Sequence, residues 1–346
     1  MKANLQIKPT HSLDTLETSS DYFKDKTHER QYYKAIRKDK TNSKILSIID
    51  SIPDNEPAQK RYWKTYHCQD VIIQQSDKFK GSLCRKRWCT ECCRIKTAEM
   101  TNGYKQPMLD LGKLYFVTLT APNVSGSNLK KEIKKMVDVF YLIKDSIRKT
   151  HKIKLNGMRK IEVTYNEKSN TYHPHFHLIQ DNFEASNLVL KFWLKHFPKA
   201  SIKGQDIRQI DTTNENAFIE LFKYATKETT KENKQYSGQV LHTIYNSIGS
   251  KRIYQTYGNI RKIKAPKKPT ENEMEIDYVP EQNNIWYYEK SAIDWVTFDN
   301  QLLINTLEIK NKIETQKLIS LTTQLINESY AEKSQKQSNT IKHPIN

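Results

Sequence analysis

The sequence predicts an α+β fold in which helices flank an antiparallel sheet and a small cysteine-rich module precedes it. Polar and apolar residues alternate over residues 160–165 and again over 171–178, the pattern of two half-buried strands. The polar turn at 166–170 joins them into a predicted hairpin. Apolar residues recur at helical spacing within residues 128–151, which predicts a helix with one face against the sheet.

Local composition predicts the remaining elements of the sheet domain. Residues 113–120 are apolar and rich in β-formers, and Pro122 follows them, so we expect a central strand there. Residues 184–197 have an apolar helical face, and residues 205–210 form a short predicted strand. The strongest helix prediction covers residues 213–229. The resulting order of strand, helix, hairpin, helix, strand and helix is typical of an α+β domain.

The predicted hairpin collects ionisable side chains on one face. His173, His175 and His177 share a face because side chains in a strand alternate. A turn of even length places Glu162 opposite His175 and Thr164 opposite His173, and it keeps the apolar residues of both strands together. One carboxylate and two imidazoles suit Mg²⁺, Mn²⁺ or Zn²⁺, with open positions for a substrate oxygen. The alternative is a surface strand that is merely rich in histidine.

Three short motifs resemble those of a known family. His175-Phe176-His177 resembles the His-hydrophobic-His motif of the HUH endonucleases, and residues 116–120 resemble their first motif. Residues 222–227 resemble their third motif, which carries the nucleophilic tyrosine. Over about residues 62–228, the chain resembles the rolling-circle replication initiators of small bacterial plasmids. The resemblance implies an RNA-recognition-like sheet, with a metal held on its open face by His175, His177 and Glu162.

All five cysteines lie close together before the first motif. Cys89 and Cys92 form a CxxC pair, whose spacing allows two thiolates to bind one tetrahedral ion. The resembled initiators often carry a similar cysteine set, so we predict a structural Zn²⁺ at Cys68, Cys84, Cys89 and Cys92. Cys93 is the spare cysteine, and His67 is a possible substitute ligand. The alternative is reduced cysteines without a metal. The basic residues around the cluster are candidates for contacts with DNA phosphates: Arg85, Lys86, Arg87 and Arg94.

The predicted helix at residues 213–229 carries three reactive side chains. Glu220, Tyr224 and Lys227 are spaced so that they share one helix face. Without the histidine motif, an exposed helix with one ion pair would explain them. The resemblance implies that Tyr224 attacks the DNA and that Glu220 activates water at termination. Lys227 would neutralise the phosphate or help to position the metal shell.

The composition indicates a partner with negative charge. The chain has 346 residues and a formal net charge of +18, which attracts polyanions such as nucleic acid. A basic protein that is simply soluble is the alternative. No apolar stretch is long enough for a transmembrane helix, and the first ten residues lack the apolar region of a secretory signal. We therefore expect no membrane association and a cytoplasmic location, where cysteines bind metals or stay reduced.

These observations divide the chain into four predicted segments. Residues 1–60 form a mobile polar N-terminal segment, and residues 61–110 form the zinc-binding module. Residues 111–262 form the HUH endonuclease domain. Residues 263–346 contain a basic linker, a C-terminal satellite or helix, and a disordered tail.

The resemblance implies a plasmid rolling-circle replication initiator that nicks origin DNA and transfers a strand through a 5′-phosphotyrosine. Its cofactors would be Mg²⁺ or Mn²⁺ at the active site and the structural Zn²⁺. Its substrate would be single-stranded or hairpin origin DNA, and a host helicase and DNA polymerase would follow. The alternatives are an HUH transposase or mobilisation relaxase, and a zinc-dependent nucleic-acid-binding protein without catalysis.

Overall fold

A computed structural model describes residues 22–211, 228–229, 234–263, 281, 284–318 and 321. The chain divides into two compact units. The described part of unit 1 falls within residues 1–36, 74–77 and 280–346, and that of unit 2 within 37–73 and 78–279. The helices are α1 (Lys26–Ile49), α2 (Gln59–Tyr66), α3 (Thr90–Leu109), α4 (Gly126–Thr150), α5 (Phe183–His196) and α6 (Gly238–Ile248). The strands are β1 (Val71–Gln75), β2 (Lys78–Gly81), β3 (Tyr115–Thr120), β4 (Gly157–Asn166), β5 (Thr171–Gln180), β6 (Asp206–Gln209), β7 (Tyr254–Tyr257), β8 (Ile285–Glu289) and β9 (Asp294–Val296).

Unit 2 contains a five-stranded sheet with the order β6-β3-β5-β4-β7, and its neighbouring strands are antiparallel. The central hairpin pairs β4 with β5 so that Glu162 lies opposite His175 and Thr164 lies opposite His173. This register confirms the even turn, which the alternation of apolar residues requires. The antiparallel sheet flanked by helices confirms the predicted α+β class.

One face of this sheet forms the main core. Apolar side chains from the three inner strands are fully buried there, and they pack with apolar residues of α4, α5 and α6. Helix α4 packs its apolar face against this core. Leu129, Ile133, Met136 and Phe140 lie on that face because they recur at intervals of three and four residues. Asn182 caps the N-terminus of α5, and its side chain accepts a hydrogen bond from the Ala185 amide at 2.8 Å.

Helix α3 packs on the opposite face of the sheet. Met100 and Met108 form a second buried cluster with Met158 of β4 and Ile179 of β5. These strand residues share their face with Glu162 because side chains alternate along a strand. The helix therefore covers part of the face that also carries the ionisable group of the hairpin.

Helix α1 lies within residues 1–60, the segment for which the sequence predicts a mobile, polar character. It runs for 24 residues, and Ile45 and Ile48 are fully buried in the core of unit 2. Polar contacts also fix it, because the buried Lys38 ammonium donates to the carbonyl oxygens of Tyr66 and Cys68 and pairs with Asp70 at 2.6 Å. The sequence pattern indicates a solvent-exposed segment because lysines are usually surface residues, whereas several lysines of α1 are buried.

Unit 1 contains the antiparallel pair β8–β9 and a following helical segment, residues 306–318. The fully buried Asp294 carboxylate accepts hydrogen bonds from the backbone amides of Trp295, Ile304, Asn305 and Thr306. Burial raises the pKa of Asp294, while these amide donors oppose that shift. The predicted aromatic satellite therefore has ordered structure, and the predicted boundaries near residues 110 and 262 remain predictions.

Candidate metal centres

Glu162, His175 and His177 form a compact group on the sheet of unit 2. Their ligand atoms all lie within 4.8 Å of one another. Nε2 of His175 is 3.5 Å from Oε1 of Glu162, and Nε2 of His177 is 3.7 Å from Oε2. Ligands at about 2.1 Å from one ion are at most about 4.2 Å apart, so a small contraction would bring all three atoms onto a single cation. The donor set fits a divalent metal.

Hydrogen bonds orient both imidazoles for this role. Nδ1 of His175 donates to the carbonyl oxygen of His173 at 3.2 Å, and Nδ1 of His177 lies 3.3 Å from the Thr118 hydroxyl oxygen. Because Nδ1 is engaged in each ring, Nε2 is the nitrogen that faces the carboxylate. The residues that orient both rings belong to the same sheet, so the strands fix the site.

The electrostatics of the group favour an ionised carboxylate. Burial alone would raise the pKa of Glu162, but a hydrogen bond from His175 and the charges of Lys160, His175 and His177 hold that pKa well below its ordinary value. His173 behaves differently, because burial and the neighbouring His175 lower its pKa to about 4. It lies outside the three-residue group.

The face that carries the group is more covered than the predicted open face. The side chains of Glu162, His175 and His177 are 8%, 9% and 19% exposed. His177 is the most accessible of the three, and its ring contacts that of Phe116 with centroids 5.1 Å apart. The guanidinium of the exposed Arg208 also lies over the Phe116 ring, 4.9 Å from its centroid.

The second group is the predicted set of four cysteines: Cys68, Cys84, Cys89 and Cys92. Sγ of Cys92 is 3.8 Å from Sγ of Cys68 and 3.7 Å from Sγ of Cys84. A tetrahedral ion with bonds of about 2.3 Å holds its sulfur ligands about 3.8 Å apart, so these distances fit one ion. The Cys84 amide also donates to Sγ of Cys68 at 3.3 Å, a contact that favours a thiolate.

The two spare candidates lie apart from this cluster. The Cys93 thiol donates to the carbonyl oxygen of Arg87 at 2.8 Å, and burial raises the pKa of Cys93 to about 12. His67 instead pairs through Nδ1 with Asp70 at 2.6 Å. The geometry thus groups Cys68, and not His67, with the other three cysteines, and the role of these four residues as zinc ligands stays a prediction.

The four predicted phosphate contacts have different surroundings. Arg85 is exposed, and its backbone has a positive φ of 54°. Lys86 and Arg87 are half-buried, and the Lys86 amide donates to Sγ of Cys84 at 3.5 Å. The guanidinium of Arg94 pairs with the buried Glu91 carboxylate at 2.9 Å. Arg85 is thus the best placed for an external anion, and the DNA contacts remain predictions.

The predicted nucleophile and its partners lie outside the described residues: Tyr224, Glu220 and Lys227. The chain is described again at Glu228, directly after Lys227. Glu228 is anchored in unit 2, because its carboxylate accepts hydrogen bonds from the Lys44 ammonium and the Tyr245 hydroxyl. The local sequence pattern gives no sign of this anchoring role, because Lys44 is distant from Glu228 in the chain.

Lys160 is a further polar residue of the sheet site that the sequence analysis did not select. Its ammonium lies 2.9 Å from Oε2 of Glu162, and its side chain is 4% exposed. The alternation that places Glu162 on the same face as the histidines also places Lys160 there, so its position in the site could have been predicted from the sequence.

The sheet and its two groups define an α+β protein with two sites suited to metal ions. A family model described as "Replication protein" matches residues 76–299. The chain is 26% identical over 176 residues to a "Protein rep" of Staphylococcus aureus, covering 46% of this chain and 76% of that protein. It is 24% identical over 246 residues to a "Protein rep" of a Bacillus species, covering 59% and 80%. No solved structure matches it.

The chain belongs to the replication protein family. The resemblance to rolling-circle plasmid replication initiators is thereby confirmed. Within the described ranges, no helix combines the length and the apolar character that a membrane crossing requires.

Proposed function

We propose that this protein initiates rolling-circle replication of a plasmid by cutting one strand of the origin and becoming covalently attached to it. The observation that carries this proposal is the Glu162–His175–His177 group on the sheet of a chain from the replication protein family. Two imidazoles and a carboxylate within 4.8 Å of one another are an unusual set for a purely structural strand.

The three side chains would hold Mg²⁺ or Mn²⁺, which would polarise the scissile phosphate and offset its developing negative charge. Tyr224 is the proposed nucleophile. Its hydroxyl oxygen forms a bond to phosphorus and loses its proton, while the bond from phosphorus to the 3′-oxygen breaks. The products are a 5′-phosphotyrosine and a free 3′-hydroxyl, which takes up a proton and can prime a host polymerase. A phenol with an ordinary pKa of about 10 needs this electrostatic help at neutral pH.

Glu220 and Lys227 have proposed roles at other stages of the reaction. Glu220 would take a proton from water when the regenerated origin arrives, so that water releases the attached strand. Because water cannot pass the strand on, this step would end the cycle. Lys227 would neutralise the phosphate next to Tyr224 or help to position the metal shell.

The cysteine cluster and the basic surface would support DNA binding. Cys68, Cys84, Cys89 and Cys92 would hold a structural Zn²⁺, which fixes the start of α3. Single-stranded or hairpin origin DNA would contact basic residues near the cluster, in keeping with the net charge of +18: Arg85, Lys86, Arg87 and Arg94. A host helicase and polymerase would follow in the cytoplasm, where plasmid DNA is copied.

The direct test is incubation of the full-length protein with end-labelled single-stranded origin DNA and Mn²⁺, followed by a denaturing gel. We expect a cut strand and a protein–DNA adduct that survives denaturation. Tyr224→Phe removes only one oxygen and should abolish both products, while Tyr254→Phe serves as the matched control. Binding without cutting would instead favour a non-catalytic nucleic-acid-binding protein. Cutting of transposon ends or a transfer origin would favour a transposase or relaxase.

A further inference from the structure

A buried lysine belongs to the sheet site. Lys160 lies opposite His177 in the β4–β5 register, and its side chain is 4% exposed. Its ammonium nitrogen is 2.9 Å from Oε2 of Glu162. The site therefore combines the three candidate metal ligands with one lysine ammonium.

Packing alone does not account for this lysine. Met158 lies two residues earlier on the same face of β4 and is also fully buried. An apolar side chain is therefore sufficient for packing at that neighbouring position. A buried ammonium is costly unless a partner compensates it, and a hydrophobic residue of similar size is often at least as stable. The lysine therefore has a polar role, and its contact of 2.9 Å with Oε2 identifies Glu162 as the group on which it acts.

The contact distinguishes the two carboxylate oxygens of Glu162. Oε2 accepts the Lys160 ammonium at 2.9 Å and lies 3.7 Å from Nε2 of His177, whereas Oε1 has only Nε2 of His175 beside it, at 3.5 Å, among these three groups. Carboxylates bind divalent cations through one oxygen or through both. An ammonium on Oε2 favours ligation through Oε1 alone.

We propose that Lys160 is a positioning residue that keeps Glu162 a one-oxygen ligand of the active-site metal. This inference rests on the proposed function, because it concerns the metal of the nicking site. One-oxygen ligation leaves an additional coordination position for a phosphate oxygen of the DNA, which is the position that a Lewis acid needs for catalysis. The lysine also places a like charge beside the metal, so it weakens metal binding while it promotes cleavage.

This proposal predicts opposite effects on binding and on rate when the lysine is removed. Lys160→Met has a side chain of similar length without the charge or the donor. Mn²⁺ should bind several-fold more tightly, because repulsion is lost and both Glu162 oxygens become available. Cleavage at saturating Mn²⁺ should slow by at least about ten-fold, because the open coordination position is taken. A lysine that only stabilises the fold would weaken metal binding on removal.

The experiment measures Mn²⁺ binding by isothermal calorimetry and single-turnover nicking with the full-length, zinc-containing protein at mildly alkaline pH. Lys154→Met is the matched control, because Lys154 is exposed and pairs with Asn259 away from the site. Lys160→Gln keeps a donor for Oε2 but has no charge. It should bind Mn²⁺ more tightly than wild type and cleave faster than Lys160→Met. If Lys160→Met does not fold, the binding and cleavage measurements on Lys160→Gln test the proposal.

The results separate this inference from the proposed function. Tighter Mn²⁺ binding with slower cleavage in Lys160→Met supports the positioning role. Weaker Mn²⁺ binding in a folded Lys160 variant, or an unchanged cleavage rate in Lys160→Met, overturns it even when the wild-type protein nicks normally. A wild-type protein that binds Mn²⁺ but never cuts origin DNA would overturn the proposed function as well.

Discussion

Lys44 and Glu228 form an ion pair in unit 2, with Nζ of Lys44 2.8 Å from Oε2 of Glu228. The lysine side chain is 2% exposed, and the Tyr245 hydroxyl donates to the other carboxylate oxygen at 2.5 Å. Two elements distant in sequence, α1 and α6, therefore hold the residue that directly follows Lys227.

Removal of Lys44 should destabilise the protein strongly. Lys44→Met leaves the Glu228 carboxylate without its cation, and such a loss costs about 3 kcal/mol of unfolding free energy. Tyr245→Phe removes one hydrogen bond and should cost about 1–2 kcal/mol. Urea unfolding followed by circular dichroism measures both. A Lys44→Met variant as stable as wild type would contradict the role of this pair.

Loss of one imidazole should abolish metal-dependent nicking. His177→Ala removes a candidate ligand from an accessible position of the group, so Mn²⁺ affinity should fall at least about ten-fold and cleavage should be lost while the fold is retained. His173→Ala is the matched control, because His173 lies on the same strand face but outside the group. Calorimetry and the gel assay provide the readouts. Equal losses in both variants would argue against the assigned ligand set.

The cysteine cluster should contain zinc. Metal analysis of freshly purified, reduced protein should find about one tightly bound Zn²⁺ per chain. Cys89→Ser should lose this zinc and unfold at lower temperature, whereas Cys93→Ser should keep it, because the Cys93 thiol contacts the Arg87 carbonyl instead. Zinc-free wild-type protein, or equal zinc loss in the two variants, would refute the assignment.

The Glu162 group should contribute a pH-dependent part of the stability. The pKa of Glu162 is lower in the folded protein than its ordinary value of 4.5. Stability from this shift is present above that value and is lost as pH falls toward the folded pKa. In protein prepared without added divalent metal, Glu162→Gln should therefore unfold at lower temperature than wild type near neutral pH. The difference should shrink below about pH 4, and a constant difference would contradict it.

Glu220 should matter at termination and not at initiation. Glu220→Ala should still nick origin DNA and form the adduct, but strand release should slow by about 10²–10⁴-fold, the usual value of general-base help. Replication assays should then yield overlong single strands. Glu220→Tyr should partly restore closure, because a phenol can accept the strand in place of water. Complete loss of the first cut in Glu220→Ala would assign this residue to initiation instead.

Local periodicity predicted the parts of the structure that depend on neighbours in sequence. The parity of the β4–β5 register followed from alternation, because a one-residue slip would place Glu162 among the apolar side chains. The four cysteines followed from spacing together with the family resemblance. The burial of Lys38 and Lys44 could not be predicted, since their partners Asp70 and Glu228 are distant in the chain. A lysine in a polar helix has the same local pattern whether a carboxylate lies beside it or water does.

Helix α3 begins beside Cys89 and ends where Met108 packs with Met158 and Ile179 of the sheet. Its 20 residues form a rod about 30 Å long. With zinc in the cluster as proposed, this helix connects a metal site with four sulfur ligands at one end to the sheet that carries the Glu162–His175–His177 group near the other end. If a host cell lacked zinc, the start of α3 would lose its support, and the sheet site would be disturbed although Glu162, His175 and His177 were unchanged. Plasmid copy number would then depend on the zinc supply.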